Sequence, residues 1–311
     1  MISDLFTPMV LIGILTSGIR LATPYLYATL GETFGQLSGV LNLGVDGIML
    51  MGAYSGFYVT YTTGSPWLGL LAAILTGALL GLAMAFISVT LKAEQGISGI
   101  GLYLFGLGMS DLLFDKTLGQ VRTVSGFAPL KIPLLGDIPV IGGIFFEHNL
   151  LVYGAFLMVP ISAFILNKTT WGLMIKAVGQ NPAAADALGV SVTKVRYATV
   201  TFGGVMSGIA GASLSIALLN VFQQDLTYGL GFIAVALVYF GGWTPLGVLG
   251  GSLLFSSVTA LQNWVQTIGI PIPSEFATML PYVLTILALV FAVRKVSQPA
   301  ALTKVFERGE G

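Results

Sequence analysis

The sequence predicts an all-α fold, a polytopic integral membrane protein that crosses the bilayer about nine or ten times in helices of roughly 20 residues. Three observations predict it. Of 311 residues, 55% are hydrophobic and 8% charged, where soluble domains carry roughly 25% charged residues. No Asp, Glu, Lys, Arg or His lies between Asp46 and Lys92, between Arg196 and Asp225, or between Asp225 and Glu275, and the last run is long enough for two spans. Forty-one glycines suit helices in lipid, where small residues let backbones approach closely.

A first span over 6–30 stands behind Asp4, with no Lys or Arg before Arg20, so it is expected to stay in the membrane rather than be removed as a signal peptide. Residues 31–46 place Glu32, Gln36, Asn42 and Asp46 among glycines. They are too polar for a simple span and are expected to form a broken or re-entrant piece, which a membrane tolerates only where protein or a water-filled cavity satisfies the backbone. Spans at 46–63 and 66–91 share the first uncharged run, and the second carries the small-xxx-small repeat "GALLG" (Gly77–Gly81). A span at 96–114 leads to 115–147, whose three basic and three acidic side chains and prolines Pro129, Pro133 and Pro139 suggest an ordered external cap or docking loop, or else a flexible linker. Spans at 148–166 and 197–219 flank a polar stretch, 167–196. "GVMSG" (Gly204–Gly208) marks the second of these, and "GVLGG" (Gly247–Gly251) marks a span at 245–268 that follows one at 226–241. A last span is expected at 276–293. The chain, 1–311, reads as one transmembrane domain.

Nine of the thirteen Lys and Arg residues fall in three groups: Lys92; Lys168, Lys176, Lys194 and Arg196; and Arg294, Lys295, Lys304 and Arg308. With alternating spans all three groups share one face, and basic residues concentrate on the cytoplasmic side. The loop 167–196 and the C-terminus are therefore expected in the cytoplasm, and 115–147 outside.

Inside that loop, "KAVGQNPAAADALGV" (Lys176–Val190) encodes one short helix from Pro182 to Leu188. Asn181 suits the N-cap, Pro182 suits the first helical position because its missing donor would be unpaired anyway, and Gly189 suits a left-handed stop. The small side chains of "AAADAL" give little bulk to their own protein and fit a groove on another. Trp171, Ile175, Val190 and Val192 can anchor the flanks to the membrane domain. Two readings stand: a device for passing motion across an interface, or a well-capped connector between spans.

Acids inside a membrane mark a pathway or a partner, which makes Asn42 and Asp46 candidates for a translocation pathway. Alternatively, Asp46 caps the helix starting near Gly47 and Glu32 pairs with Arg20. Asp111 and Asp225 fall near expected outer ends, where solvation explains them. Gln262, Asn263 and Trp264 in "LQNWVQ" suit a polar planar solute, or pack against another helix. His148, the only histidine, begins a span without companions at metal-ligand spacing.

Several chemistries are disfavoured. Net charge is zero, against nucleic acid as a partner. No G-x-x-x-x-G-K-[ST] occurs, so no P-loop nucleotide site is encoded. No Ser/His/Asp set or buried His/Glu cluster supports hydrolysis. No cofactor or metal is expected on this chain, it is not expected to be an enzyme, and the energy for any powered transport must come from elsewhere.

Three motifs carry a resemblance. "SGVLNLGVDGIMLMGA" (Ser38–Ala53), "IPLLGDIPVIGGIFFEHNLLVYGAFLMVP" (Ile132–Pro160) and "GLMIKAVGQNPAAADALGVSV" (Gly172–Val192), continued by "GGVMSGIAGA" (Gly203–Ala212), resemble the permease subunits of ABC importers for nucleosides and simple sugars, a group that includes ribose-type and, more distantly, branched-chain amino-acid permeases. The likeness covers residues from about Leu21 to Val293. It departs at Asp46, where the family signature usually has Glu, and the shorter side chain shortens the reach of any carboxylate contact there.

The resemblance implies that Pro182–Leu188 is a coupling helix held in a cleft of a partner ATPase that carries ATP and Mg. Trp171, Gly172, Lys176, Gly179, Asn181, Pro182, Ala183, Ala184 and Gly189 are the implied coupling residues. Further implied partners are an extracytoplasmic solute-binding protein meeting 115–147, membrane lipid, and a second homologous permease, as a heterodimer before a homodimer. The implied location is the cytoplasmic membrane of a prokaryote. Nucleosides lead as solutes, with ribose, another sugar or a branched-chain amino acid as alternatives. Outside this class the rivals are a self-powered secondary transporter, for which no convincing internal repeat is visible, and a membrane enzyme, for which clustered acids or histidines are missing.

Overall fold

The computed structural model describes residues 7–268 and 298–307, with positions 279, 283, 286, 287 and 290. Apart from those five positions, the expected span at 276–293 lies outside the described residues, as do Glu275, Arg294, Lys295 and Arg308.

Eight helices take the places of the other eight expected spans. They are α1 (Pro8–Leu37), α2 (Val45–Thr63), α3 (Pro66–Ala85, running into a π-helical turn Phe86–Thr90), α4 (Gln95–Thr117), α6 (Leu150–Lys168), α9 (Val192–Ser213, with a π-helical turn Leu214–Leu218), α10 (Leu230–Phe240) and α11 (Pro245–Ile268). Among the described residues, six helices are long and apolar enough to cross a membrane. Local chemistry sets several starts. Proline stands in the first turn of α1 and α3, Asn149 accepts from the Val152 amide at the start of α6, and Glu94 accepts from Gly96 and Ile97 at the start of α4. Those two amides hold the Glu94 carboxyl below the usual carboxylate range.

Helix α9 is the spine, packed against α1, α2 and α3 together. Its glycines meet glycines. Gly203 lies on Gly31 of α1, Gly208 on Gly52 of α2, and Gly204 on Gly77 and Gly81 of α3, so "GVMSG" and "GALLG" are two halves of one contact. Without a hydrophobic driving force between them, helices in lipid associate through such close van der Waals packing. A Cβ on Gly208 would collide with the Ala73 carbonyl oxygen. Gly208→Val is therefore expected to cost about 3 kcal/mol, the upper range for overpacking, read as loss of the monodisperse detergent-solubilised species. Gly101→Ala, at a position with open space, serves as the control and should leave that species unchanged.

The stretch 115–147 carries secondary structure of its own. Strands β1 (Pro129–Lys131) and β2 (Glu147–Asn149) pair antiparallel around the short helix α5 (Ile141–Phe145). Lys131 meets Asp137 at 2.8 Å and Glu147 at 3.4 Å. The Phe127 amide donates to Ile216 and that of Val124 to Asn220, fixing this cap to the end of α9.

Two boundaries move. Helix α1 continues to Leu37, because Glu32 and Gln36 find partners inside the protein, which narrows the expected break at 31–46 to residues 38–44. A second break appears where two spans were expected, at 219–229. Phe222 packs on Phe114 near the end of α4, and Gln224 donates to Asp115 at 3.2 Å. Phe232 meets Tyr103, about 12 Å from the start of α4 by helical rise. The irregular segment thus descends along α4 to its middle. The 11 residues of α10 then cover about 16 Å, half of what spanning requires.

Candidate functional site

The polar loop folds as designed by its local sequence. Helix α7 (Thr170–Gln180) starts on Thr169, whose hydroxyl accepts from Gly172, and ends at Asn181. Asn181 then starts α8 (Pro182–Ala187) by accepting from the Ala184 amide at 3.0 Å. Gly189 takes the left-handed stop at φ +87°, and the Val190 amide closes the end on Ala185. The helix is one residue shorter than expected, since Leu188 leaves helical geometry.

Ala185 faces inward, in a cluster with Ile175, Val178, Val192 and Trp243. Ala183, Ala184, Ala187 and Leu188 face out, Leu188 at 86% exposure. Beside Asn181 and Pro182 a cleft of about 430 Å³ opens toward Ala301, Lys304 and Phe306. The expected anchors divide. Ile175 and Val192 are buried, Val190 is packed at the cluster's edge, and Trp171 is 52% exposed rather than docked on the membrane domain, because its position on α7 lies off the buried stripe of Gly172, Ile175, Val178 and Gly179.

The remaining candidates among the loop residues pack against or bond neighbouring parts of the chain. Lys176 Nζ donates to Asn167 at 2.8 Å. Gly172 lies on the carbonyls of Ile165 and Leu166, and Gly179 on that of Leu37, with no room for a side chain. Leu188 was not singled out by sequence; a lone leucine ending an alanine helix is its only signal.

Asn42 and Asp46 are buried with their polar groups engaged. The Asn42 amide donates to Glu32 Oε1 at 3.0 Å, and Asn42 Oδ1 accepts from Gly44 at 2.8 Å. Glu32 also accepts from Gln36 Nε2, and Gln36 Oε1 accepts from Trp243 Nε1 at 2.9 Å. Glu32 therefore binds the connector and not Arg20. Asp46 caps a helix, but not its own: α2 begins at Gly44 without a side-chain cap. Its Oδ1 accepts from the Gly231 amide at 2.7 Å and its Oδ2 from the Thr227 hydroxyl at 3.0 Å, so Asp46 closes the N-terminus of the half-length α10. A carboxylate there meets free amides and the positive end of the helix dipole. Sequence reading missed Thr227, Trp243 and Gln95, whose Oε1 accepts from the Leu41 amide at 2.8 Å.

Gln262, Asn263 and Trp264 lie elsewhere. Asn263 and Trp264 line a cavity of about 370 Å³ with Ser17, Arg20, Leu218 and Thr267, and Gln262 stands outside that lining. Trp264 packs on Gly13 while Asn42 bonds Glu32, positions about 28 Å apart along α1. The two sets of pathway candidates are not brought together within this chain. The broken span leaves Tyr228 71% exposed, and just beyond it Phe232 meets Tyr103 edge to face. His148 is buried in β2, its Nε2 at 2.7 Å from the Ile144 carbonyl.

Residues 14–289 match the family model described as branched-chain amino acid transport system / permease component. The guanosine ABC transporter permease NupQ of Bacillus subtilis is 36% identical, over 90% of this chain and 92% of its own. The nucleoside ABC transporter permease NupC of Lactococcus lactis is 38% identical over the same shares. TsgC13 of Haloferax volcanii, an ABC transporter permease whose name assigns it provisionally to glucose, is 36% identical over 95% of this chain and 98% of its own. No solved structure matches the chain.

Proposed function

Because the chain belongs to the family of branched-chain amino acid transport system permease components and is an ABC permease subunit, a multi-pass membrane protein, we propose that it moves nucleosides across the cytoplasmic membrane by alternating access, driven through α8 by a separate ATPase. The observation that carries the mechanism is α8 itself, capped at both ends, pinned inward by Ala185, and presenting Leu188 and three alanines outward. Closure of the ATPase pair on ATP and Mg pushes this unit, and α9, four residues on, carries the push into the glycine spine. A ligand shifts such an equilibrium only by its differential affinity for the two states, so ATP binding rather than solute alone supplies the drive.

Nucleoside as the solute rests on the likeness to NupQ and NupC; a simple sugar is the second reading, on the likeness to TsgC13. The solute-binding protein that delivers it has the stretch 115–147 as its landing surface. A half-length α10 leaves the wall of this chain incomplete, which favours a second homologous permease facing the broken span, with Tyr103, Tyr228 and Phe232 toward the shared pathway. Residues 298–307 lie on α7, the Ala301 amide donating to Gly179 at 2.9 Å, which supports a C-terminus on the same cytoplasmic face as α8.

Uptake of labelled adenosine, guanosine, uridine, ribose and leucine, in cells with and without this chain, tests the reading. Loss of nucleoside uptake alone is the expected result. Loss confined to ribose or leucine moves the solute to another branch, and no loss at all overturns the proposal.

A further inference from the structure

One guanidinium sits where three distant parts of the chain meet beneath α8. Arg196 lies in the second turn of α9, joined to α8 only through residues 188–191. It is 2% exposed. Its Nε donates to the Ser38 carbonyl at 3.2 Å, and its Nη1 to the Lys304 carbonyl at 3.0 Å. Ser38 is the C-cap of α1, so the cation faces the negative end of that helix. The Thr303 amide donates to Gly39 at 3.2 Å, and the Ala301 amide to Gly179 of α7. Gly39 adopts φ +92°, and a Cβ there would come within 2.8 Å of Arg196 Nη2 and 2.9 Å of the Ala301 oxygen. Ser38 Oγ and Thr199 Oγ1 add a second tie to α9 at 2.8 Å.

We propose that Arg196 is a positioning residue that fastens the start of α9 to the 38–44 connector, so that displacement of α8 reaches the α1–α2 junction and, through Asp46, the N-terminus of α10. This rests on the reading of α8 as the ATPase-coupling helix. Burying a guanidinium is expensive unless its donors are engaged; Nε and Nη1 have acceptors, while Nη2 has none among the described residues. Two carbonyls from two segments engage the planar fork at an angle that a single ammonium cannot reproduce. The basic-residue count that orients the chain treats Arg196 as a solvated charge; the structure makes it an internal joint. Neither neighbour of the fork can shift alone. If the start of α9 is pushed, the end of α1 and the C-terminal segment move with it.

The test uses the assembled complex in proteoliposomes with Arg196→Lys, which keeps the charge and loses the fork. Solute moved per ATP hydrolysed is expected to fall about fivefold or more, the usual size of an energetic coupling between sites, while the ATPase still copurifies and hydrolysis stays within about twofold of wild type. Gly39→Ala, which crowds the same joint from the connector side, should give the same uncoupling. The double variant should be no worse than the stronger single, because both cut one connection. Proportionate loss of assembly, hydrolysis and uptake, or additive losses in the double variant, makes Arg196 a packing residue and overturns the proposal. A wild-type chain that recruits no ATPase overturns the reading of α8 instead, and this proposal falls with it for that separate reason.

Discussion

Asp46→Ala is expected to remove about 3–5 kcal/mol from the fold, the cost of leaving two buried donors without their acceptor. The Gly231 amide and the Thr227 hydroxyl both end on this one carboxylate, one from the first turn of α10 and the other from the irregular segment that precedes it. Water that would otherwise satisfy them is excluded, since Thr227, Gly231 and Asp46 are all buried. Against a total stability of about 5–15 kcal/mol, such a loss should appear as a sharp fall in thermal midpoint and in the yield of folded protein. Asp46→Asn keeps an oxygen for the Gly231 amide, and the Thr227 hydroxyl can turn to accept from the new amide nitrogen, so most of the loss should be recovered. A stably folded Ala variant that has lost uptake would instead make Asp46 a group of the pathway.

Replacing Asn181 and Pro182 together by glycines is expected to abolish coupling and spare assembly. A six-residue helix has no stability of its own, since nucleation in water is unfavourable. It persists because Asn181 supplies the cap, Pro182 fixes the first φ, and Ala185 is held in the apolar cluster. Two glycines remove the first two supports, and the helix then absorbs a push as local bending. Uptake should fall about tenfold or more with hydrolysis near wild type, within the range of measured couplings between sites. Unchanged uptake would return α8 to the role of a connector.

What could be read from the sequence was mostly local. Asn181, Pro182 and Gly189 define α8 because caps are decided within four residues. The glycines at 77, 81, 204 and 208 announce close packing because a small-xxx-small spacing falls on one helix face. Other features depend on partners far along the chain. The run at 226–241 reads as a full span because hydropathy counts apolar residues and not depth, and Leu226 in irregular backbone is buried as Val238 in α10 is, at 5% and 0% exposure. The partners of Asp46 lie 181 and 185 residues away, so its carboxylate looked like a cap for its own helix or a pathway group. Helix α1 was expected to stop before Glu32 because the indole that anchors Gln36 comes from Trp243. The same distance hid the placement of Arg196.

The clasp between Gly39 and Thr303 also bears on biosynthesis. Its two halves are made at opposite ends of translation, at about 5–20 residues per second. Until residues 303 and 304 are made, the connector of the first hairpin stays open and the Arg196 guanidinium lacks one of its two carbonyls. A chain that stops short of Thr303 therefore lacks both the Thr303 clasp on Gly39 and one of the two carbonyls that hold the buried Arg196 guanidinium.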